Sequence, residues 1–172
     1  TYHNDKQTNA YLERGIARVV LGKLNLAMDD FNLVIMRNTQ NFHAYYERGK
    51  LFIILEKFDE ALTDLNTAIE NRVGFPDIFI YRSTANIQFL KFKLASDDIQ
   101  QFERLNLDLQ HPLMSQLLFN KGMIHYERFE YNESLKYLNN LITFDESFHD
   151  AYLLRGNIYR IQGRLYLAMD DL

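Results

Sequence analysis

The sequence predicts an all-α solenoid of antiparallel helix pairs, and three observations carry that expectation. A phrase of small, aromatic and basic residues returns every 34 positions, and a second phrase follows each copy at a fixed offset. Glycines and prolines fall where the phrases meet. No run alternates with period two over a length that suggests a strand.

The first phrase is Ala10-Tyr-Leu-Glu-Arg-Gly15, which recurs as Ala44-Tyr-Tyr-Glu-Arg-Gly49 and Ala151-Tyr-Leu-Leu-Arg-Gly156. Phe79-Ile-Tyr-Arg-Ser83 is the third copy, with Ser for Gly, and Lys121-Gly122 supplies the fourth. The steps are 34, 34, 39 and 34, so five extra residues stand between the third and fourth copies, at about 107–114. The second phrase is Leu24-Asn-Leu-Ala-Met-Asp-Asp-Phe31, with copies beginning at Phe58, Phe92, Tyr131 and Leu165. Each puts an aromatic or leucine three residues before a small residue and an apolar residue four after it, on one face of a helix.

The spacing predicts helices over 8–21, 24–37, 42–55, 58–71, 76–89, 92–107, 112–128, 131–143, 149–162 and from 165 onward. Gly22 and Gly163 fall at hairpin turns, where a left-handed residue ends a helix at little cost. Gly74 before Pro76-Asp77, and His111-Pro112, are stops followed by a helix-opening proline. Close approach of the paired helices needs one side without bulk, so Gly15 is expected to face Ala27, with the aromatics filling the space beside them.

Composition narrows the function. The 172 residues are 47% hydrophobic and 24% charged, with two prolines and seven glycines, which suits a packed core. The net charge of -4 is spread along the length, leaving no basic stripe for nucleic acid. There is no cysteine, hence no disulfide framework and no thiolate metal site; a reducing, cytoplasmic setting fits. The longest apolar run, Leu51–Leu55, falls far short of the roughly 18 residues of a membrane span. The chain starts at Thr1 and stops inside a helical pattern at Leu165–Leu172, so it is expected to be a fragment with more chain beyond.

A 34-residue helix-turn-helix period resembles the tetratricopeptide repeat over essentially the whole chain. The matches are Tyr11, Gly15 and Ala27; Tyr45, Gly49 and Ala61; Phe79, Ser83 and Ala95; Leu118, Gly122 and Ser134; and Tyr152, Gly156 and Ala168. Thr39-Gln40-Asn41 stands where the family's closing proline is usual. The resemblance implies a single right-handed superhelical array over 1–172. Its repeats fall at about 8–41, 42–75, 76–109 (extra residues to 114), 115–148 and a truncated 149–172.

It further implies a concave face lined by first helices, at Leu12, Ile16 and Val19; Tyr46, Lys50 and Ile53; and Ile80, Thr84 and Ile87. Phe119, Met123 and Tyr126, then Leu153, Asn157 and Arg160, complete it. A mostly apolar groove suits an amphipathic helix or extended apolar segment of a partner protein. The alternative is that these side chains pack on neighbouring first helices.

The implied function is a non-catalytic scaffold in a larger multiprotein assembly, cytoplasmic and, by family habit, cytoskeletal or ciliary. One family subset grips acidic chaperone tails with polar concave residues; Leu12 and Ile16 disfavour that co-chaperone reading. A regulatory arm of an enzyme whose catalytic domain lies elsewhere is the other alternative.

Arg14, Arg48, Arg82 and Arg155 are each followed sixteen residues on by an acid: Asp30, Asp64, Asp98 and Asp171. In the fourth repeat both members change together, to Lys121 and Tyr137. Recurrence marks these as structural pairs, since an active site is rarely built five times. His3, His43, His111, His125 and His149 lack metal-ligand spacing, and no phosphate loop or nucleophile elbow is present, so no cofactor, metal or catalytic residue is expected. Asn132-Glu-Ser134 is a glycosylation sequon whose Ser134 is expected to pack inside a helix pair.

Overall fold

In the computed structural model the described residues are 2–71, 74–105 and 112–172. They form ten helices: α1 Tyr2–Val20, α2 Leu24–Arg37, α3 Phe42–Ile54, α4 Phe58–Glu70, α5 Ile78–Gln88, α6 Phe92–Leu105, α7 Met114–Glu127, α8 Tyr131–Phe144, α9 His149–Ile161 and α10 Leu165–Asp171. No strand occurs among the described residues. The chain divides into two compact units, residues 1–85 and 86–172. The end expected for the sixth helix, most of the extra segment near 107–114, and His111 lie outside the described residues.

Every second helix starts at the expected residue. The first helices differ more. α1 begins at Tyr2, six residues early, and α5 begins at Ile78 because Pro76 and Asp77 form a turn. Asn41, in place of the usual proline, caps α3 by accepting from the Ala44 amide at 3.1 Å.

Five hairpin turns share one geometry. In each, residue 22, 56, 90, 129 or 163 has positive φ, between 56° and 73°. Its amide bonds three residues back and the next amide five back, as in Gly22 to Val19 at 3.0 Å and Lys23 to Arg18 at 2.8 Å. Only two of the five positions are glycine; the others are Glu56, Leu90 and Phe129. Sequence reading therefore found the turns at Gly22 and Gly163 and missed the backbone strain at the other three.

Packing inside each pair corrects one expectation. A side chain on Gly15 would meet the Phe31 ring at 2.6 Å, and one on Gly49 would meet Leu65 at 2.8 Å. Leu138 and Leu172 stand in the same relation to Gly122 and Gly156. The residue that closes on the glycine is thus the apolar one sixteen ahead, not the small residue twelve ahead. Ala27 is still fully buried, and the Ser134 hydroxyl donates to the Gly122 carbonyl at 2.8 Å.

In unit 1 the core runs through Leu12, Phe31, Val34 and Leu51, then Tyr46, Leu65 and Ile78. In unit 2 it runs through Leu135, Leu138, Leu141, Leu154 and Ile158. Second helices pack both on their own first helix and on the next one, α2 on α3 and α8 on α9. One repeat alone would leave that second face bare.

The charged pairs of the first, second and fifth repeats form as forks. Arg48 Nε and Nη2 donate to the two Asp64 oxygens at 2.7 and 2.9 Å; Arg155 binds Asp171 at 2.8 and 2.6 Å, and Arg14 binds Asp30 at 3.0 and 2.5 Å. A third member was missed in the sequence. Arg48 Nη1 also donates backwards to Asn32 at 2.7 Å, Arg82 to Asn66 at 2.8 Å and Arg155 to Asn139 at 2.7 Å. Each such arginine therefore joins its repeat to the preceding second helix. The hydrogen bond holds the Arg155 guanidinium above its ordinary pKa, and the Asp171 charge adds to that.

Candidate functional site

The fifteen positions expected on the concave face divide by burial. Leu12, Tyr46, Ile80 and Ile87 are core residues, at most 5% exposed. Ile16, Val19, Lys50, Ile53, Thr84, Phe119, Met123, Tyr126 and Asn157 are half-buried, while Leu153 and Arg160 are exposed. For the four core residues, packing within the chain takes the place of contact with an arriving ligand. An apolar period tells which face of a helix turns inward but not how much of it a neighbour covers.

Tyr46 shows how the cover is built in unit 1. Phe75, from the turn before α5, stacks on its ring with centroids 4.7 Å apart, and His43 lies 4.8 Å from Phe75. The Tyr46 hydroxyl donates to Asp77 Oδ2 at 2.5 Å. Burial pushes this phenol well above its ordinary pKa, and the bond to Asp77 adds to the shift; burial acts likewise on Tyr81.

On the next turn of α3, Lys50 donates to both Glu47 oxygens, at 3.2 and 3.0 Å, and sits 4.8 Å above the Tyr46 ring. Burial works to raise the Glu47 carboxyl, but bonds from His43 and Lys50 outweigh it and hold the group below the usual range. Sequence reading did not place His43, Glu47, Phe75, Asp77 or Tyr81 at this face. Phe75 stands 29 residues after Tyr46, a spacing that could have revealed it only with its second copy in view.

That copy is in unit 2. Phe148 lies 29 residues after Phe119, and their rings are 5.1 Å apart. Here the cover is partial, and Phe119, Met123 and Tyr126 stay half-exposed against the core of the unit. On the neighbouring α9, Leu153 is 54% exposed, and Arg160 donates to Asn157 at 3.3 Å. Phe119, Met123 and Tyr126 share one face of α7, whereas Leu153 lines a separate hollow with Glu146, His149, Tyr152, Asp171 and Leu172. A half-open apolar face of this kind can hold an apolar segment by burial.

Among the described residues no group of three or more His, Asp or Glu could hold a metal ion. No described helix is long and apolar enough to cross a membrane. Of the described histidine side chains, His43 lies against Glu47, His125 against Glu130, and His149 is exposed.

Residues 42–72, which hold α3 and α4, match the family model described as the tetratricopeptide repeat. No curated protein matches the chain significantly. Solved structures do. MamA is similar at 17% identity and TM-score 0.69, over 97% of this chain and 88% of that one. YrrB, described as a TPR protein with an unusual peptide-binding site, is similar at 19% and 0.65, over 94% of this chain and 80% of that one. The APC/C hetero-tetramer Cut9–Hcn1 is similar at 18% and 0.74, over 95% of this chain and 32% of that one. At these identities the likeness shows the fold.

Proposed function

Since residues 42–72 are a tetratricopeptide repeat and the whole chain has the fold of such arrays, we propose that it is a non-catalytic scaffold holding a partner segment on its first helices. The observation that carries this reading is the face of α7 formed by Phe119, Met123 and Tyr126, apolar and only half-buried. Phe119, Met123 and Tyr126 recur at helical spacing, which suits the apolar face of an amphipathic helix presented by another protein. The work is assembly rather than chemistry: desolvation of an apolar face supplies affinity, and Asn157 and Arg160 set orientation.

Lys50 favours this over capture of acidic chaperone tails, because its charge is already met by Glu47. The description of YrrB as a peptide-binding protein is consistent with it at the level of fold. The cysteine-free chain suits a reducing, cytoplasmic setting.

The test is a quantitative pull-down with the wild-type chain, Tyr126→Asp and Phe119→Asp, with helicity checked for each. Both residues are half-buried, so a variant that keeps its helix signal places a charge on the face without unfolding the chain. Loss of the same partners in both variants supports the reading; partners retained by both refute it.

A further inference from the structure

The fourth repeat lacks the arginine fork, and a cleft stands in its place. Where Arg48 grips Asp64, this repeat has Lys121 and Tyr137. Lys121 cannot bind as a planar fork, and Tyr137 offers no carboxylate. Lys121 turns instead to Glu103 on α6, with its ammonium 5.3 Å from the Tyr137 ring centre. His125 stacks on the other part of that ring at 5.3 Å and pairs with Glu130 at 2.5 Å.

The resulting cleft, between α6, α7 and α8, has a volume of about 150 Å³. Cavities of that order hold a benzene ring. Ile99 and Ile124 give it apolar surface, and Tyr137 and His125 give it ring faces. Its charges are uneven. Glu103 meets Lys121 and Glu130 meets His125, but Arg128 lines the cleft with no carboxylate partner among the described residues.

We propose that the cleft between α6, α7 and α8 is a second binding site, for a small carboxylate with an apolar body of about benzene size, anchored by Arg128. Both halves of the cleft argue for that chemistry. The isoleucines and rings favour a flat apolar body, and a guanidinium matches a carboxylate with two parallel bonds. A cation would meet Arg128 and Lys121, and a neutral ring would leave the arginine unmatched. The site lies on the side of α7 that faces the second helices, away from the strip of Phe119, Met123 and Tyr126. Its fate is therefore separate from that of the scaffold reading.

Benzoate, benzyl alcohol and benzylammonium, titrated into the 172-residue chain at pH 7 and constant ionic strength and followed by amide and ring NMR shifts, test the site. Benzoate should saturate shifts at Arg128, His125 and Tyr137, and bind about tenfold more tightly than the alcohol. Arg128→Met, at an exposed residue, should reduce benzoate to the level of the alcohol. Lys121→Arg with Tyr137→Asp should rebuild the fork, remove the ring face, set a carboxylate in the cleft and abolish benzoate binding while the melting temperature holds. No saturation, equal affinity for all three probes, preference for benzylammonium, or benzoate affinity unchanged in Arg128→Met would each overturn the proposal.

Discussion

Phe75 lies flat on Tyr46, ring centres 4.7 Å apart and planes 13° from parallel, so a turn residue seals a side chain of the preceding repeat. Phe75 is 36% exposed, so its truncation should cost less than a fully buried ring would. Phe75→Ala should lower stability by about 1.5 kcal/mol. Urea unfolding gives the value; a loss under a few tenths would show that the ring merely rests there.

The two covered phenols make a pH prediction. Their pKa values are raised in the folded chain, so the stabilisation from the neutral form is complete below the ordinary value, about 10. It is lost as pH rises from there towards the folded value. Tyrosinate absorbance should therefore rise in two stages, the second accompanied by loss of helix signal. Tyr46→Phe should shrink the second stage, and a single-stage titration would contradict the burial of these hydroxyls.

Arg48→Ala should cost about 3 kcal/mol, because Asp64 is only 3% exposed and would lose its cation. Asn32→Ala should cost about 1 kcal/mol, since one charged hydrogen bond goes and its donor keeps Asp64. Thermal unfolding of both variants fixes the order. Equal effects would mean that the backward bond matters as much as the fork.

Leu90 holds a φ of 57° and is 69% exposed. Leu90→Gly should raise stability by about 1 kcal/mol, through relief of left-handed strain at a turn where no packing is lost. A fall in melting temperature would show that the leucine side chain contributes more than its backbone costs.

Alanine at the helix-pair glycines should follow the space beside them. Gly15→Ala would push a Cβ to 2.6 Å from a fully buried ring, whereas Gly122→Ala leaves 3.1 Å to a leucine. Overpacking of about 2 kcal/mol should outweigh helix propensity of about 1 kcal/mol at Gly15, with a smaller or absent loss at Gly122. Denaturant midpoints for the pair would decide it.

Much of this was legible because it repeats. Leu24, Phe58, Phe92, Tyr131 and Leu165 open their helices where the period puts them, since one apolar stripe and one turn fix the start. The turns at Glu56, Leu90 and Phe129 were not, because those residues have no preference for the geometry that the hairpin imposes on them. Asn32 and Asn139 were passed over because a neutral amide does not announce a partner as a charge does. The candidate site was the least legible part. Leu12, Tyr46, Ile80 and Ile87 carry the same pattern as Phe119, Met123 and Tyr126, and only the neighbours that cover them tell the two groups apart.

The asparagine bond to the preceding repeat bears on how such a chain can change length. Asp64 answers the arginine of its own repeat, and Asn66, two residues later, answers that of the next. Every copy that keeps both presents the same socket and the same plug. Duplicating or excising one 34-residue block between Asn32 and Arg82 would then rejoin matching ends, so the bonds that tie the repeats together do not count them.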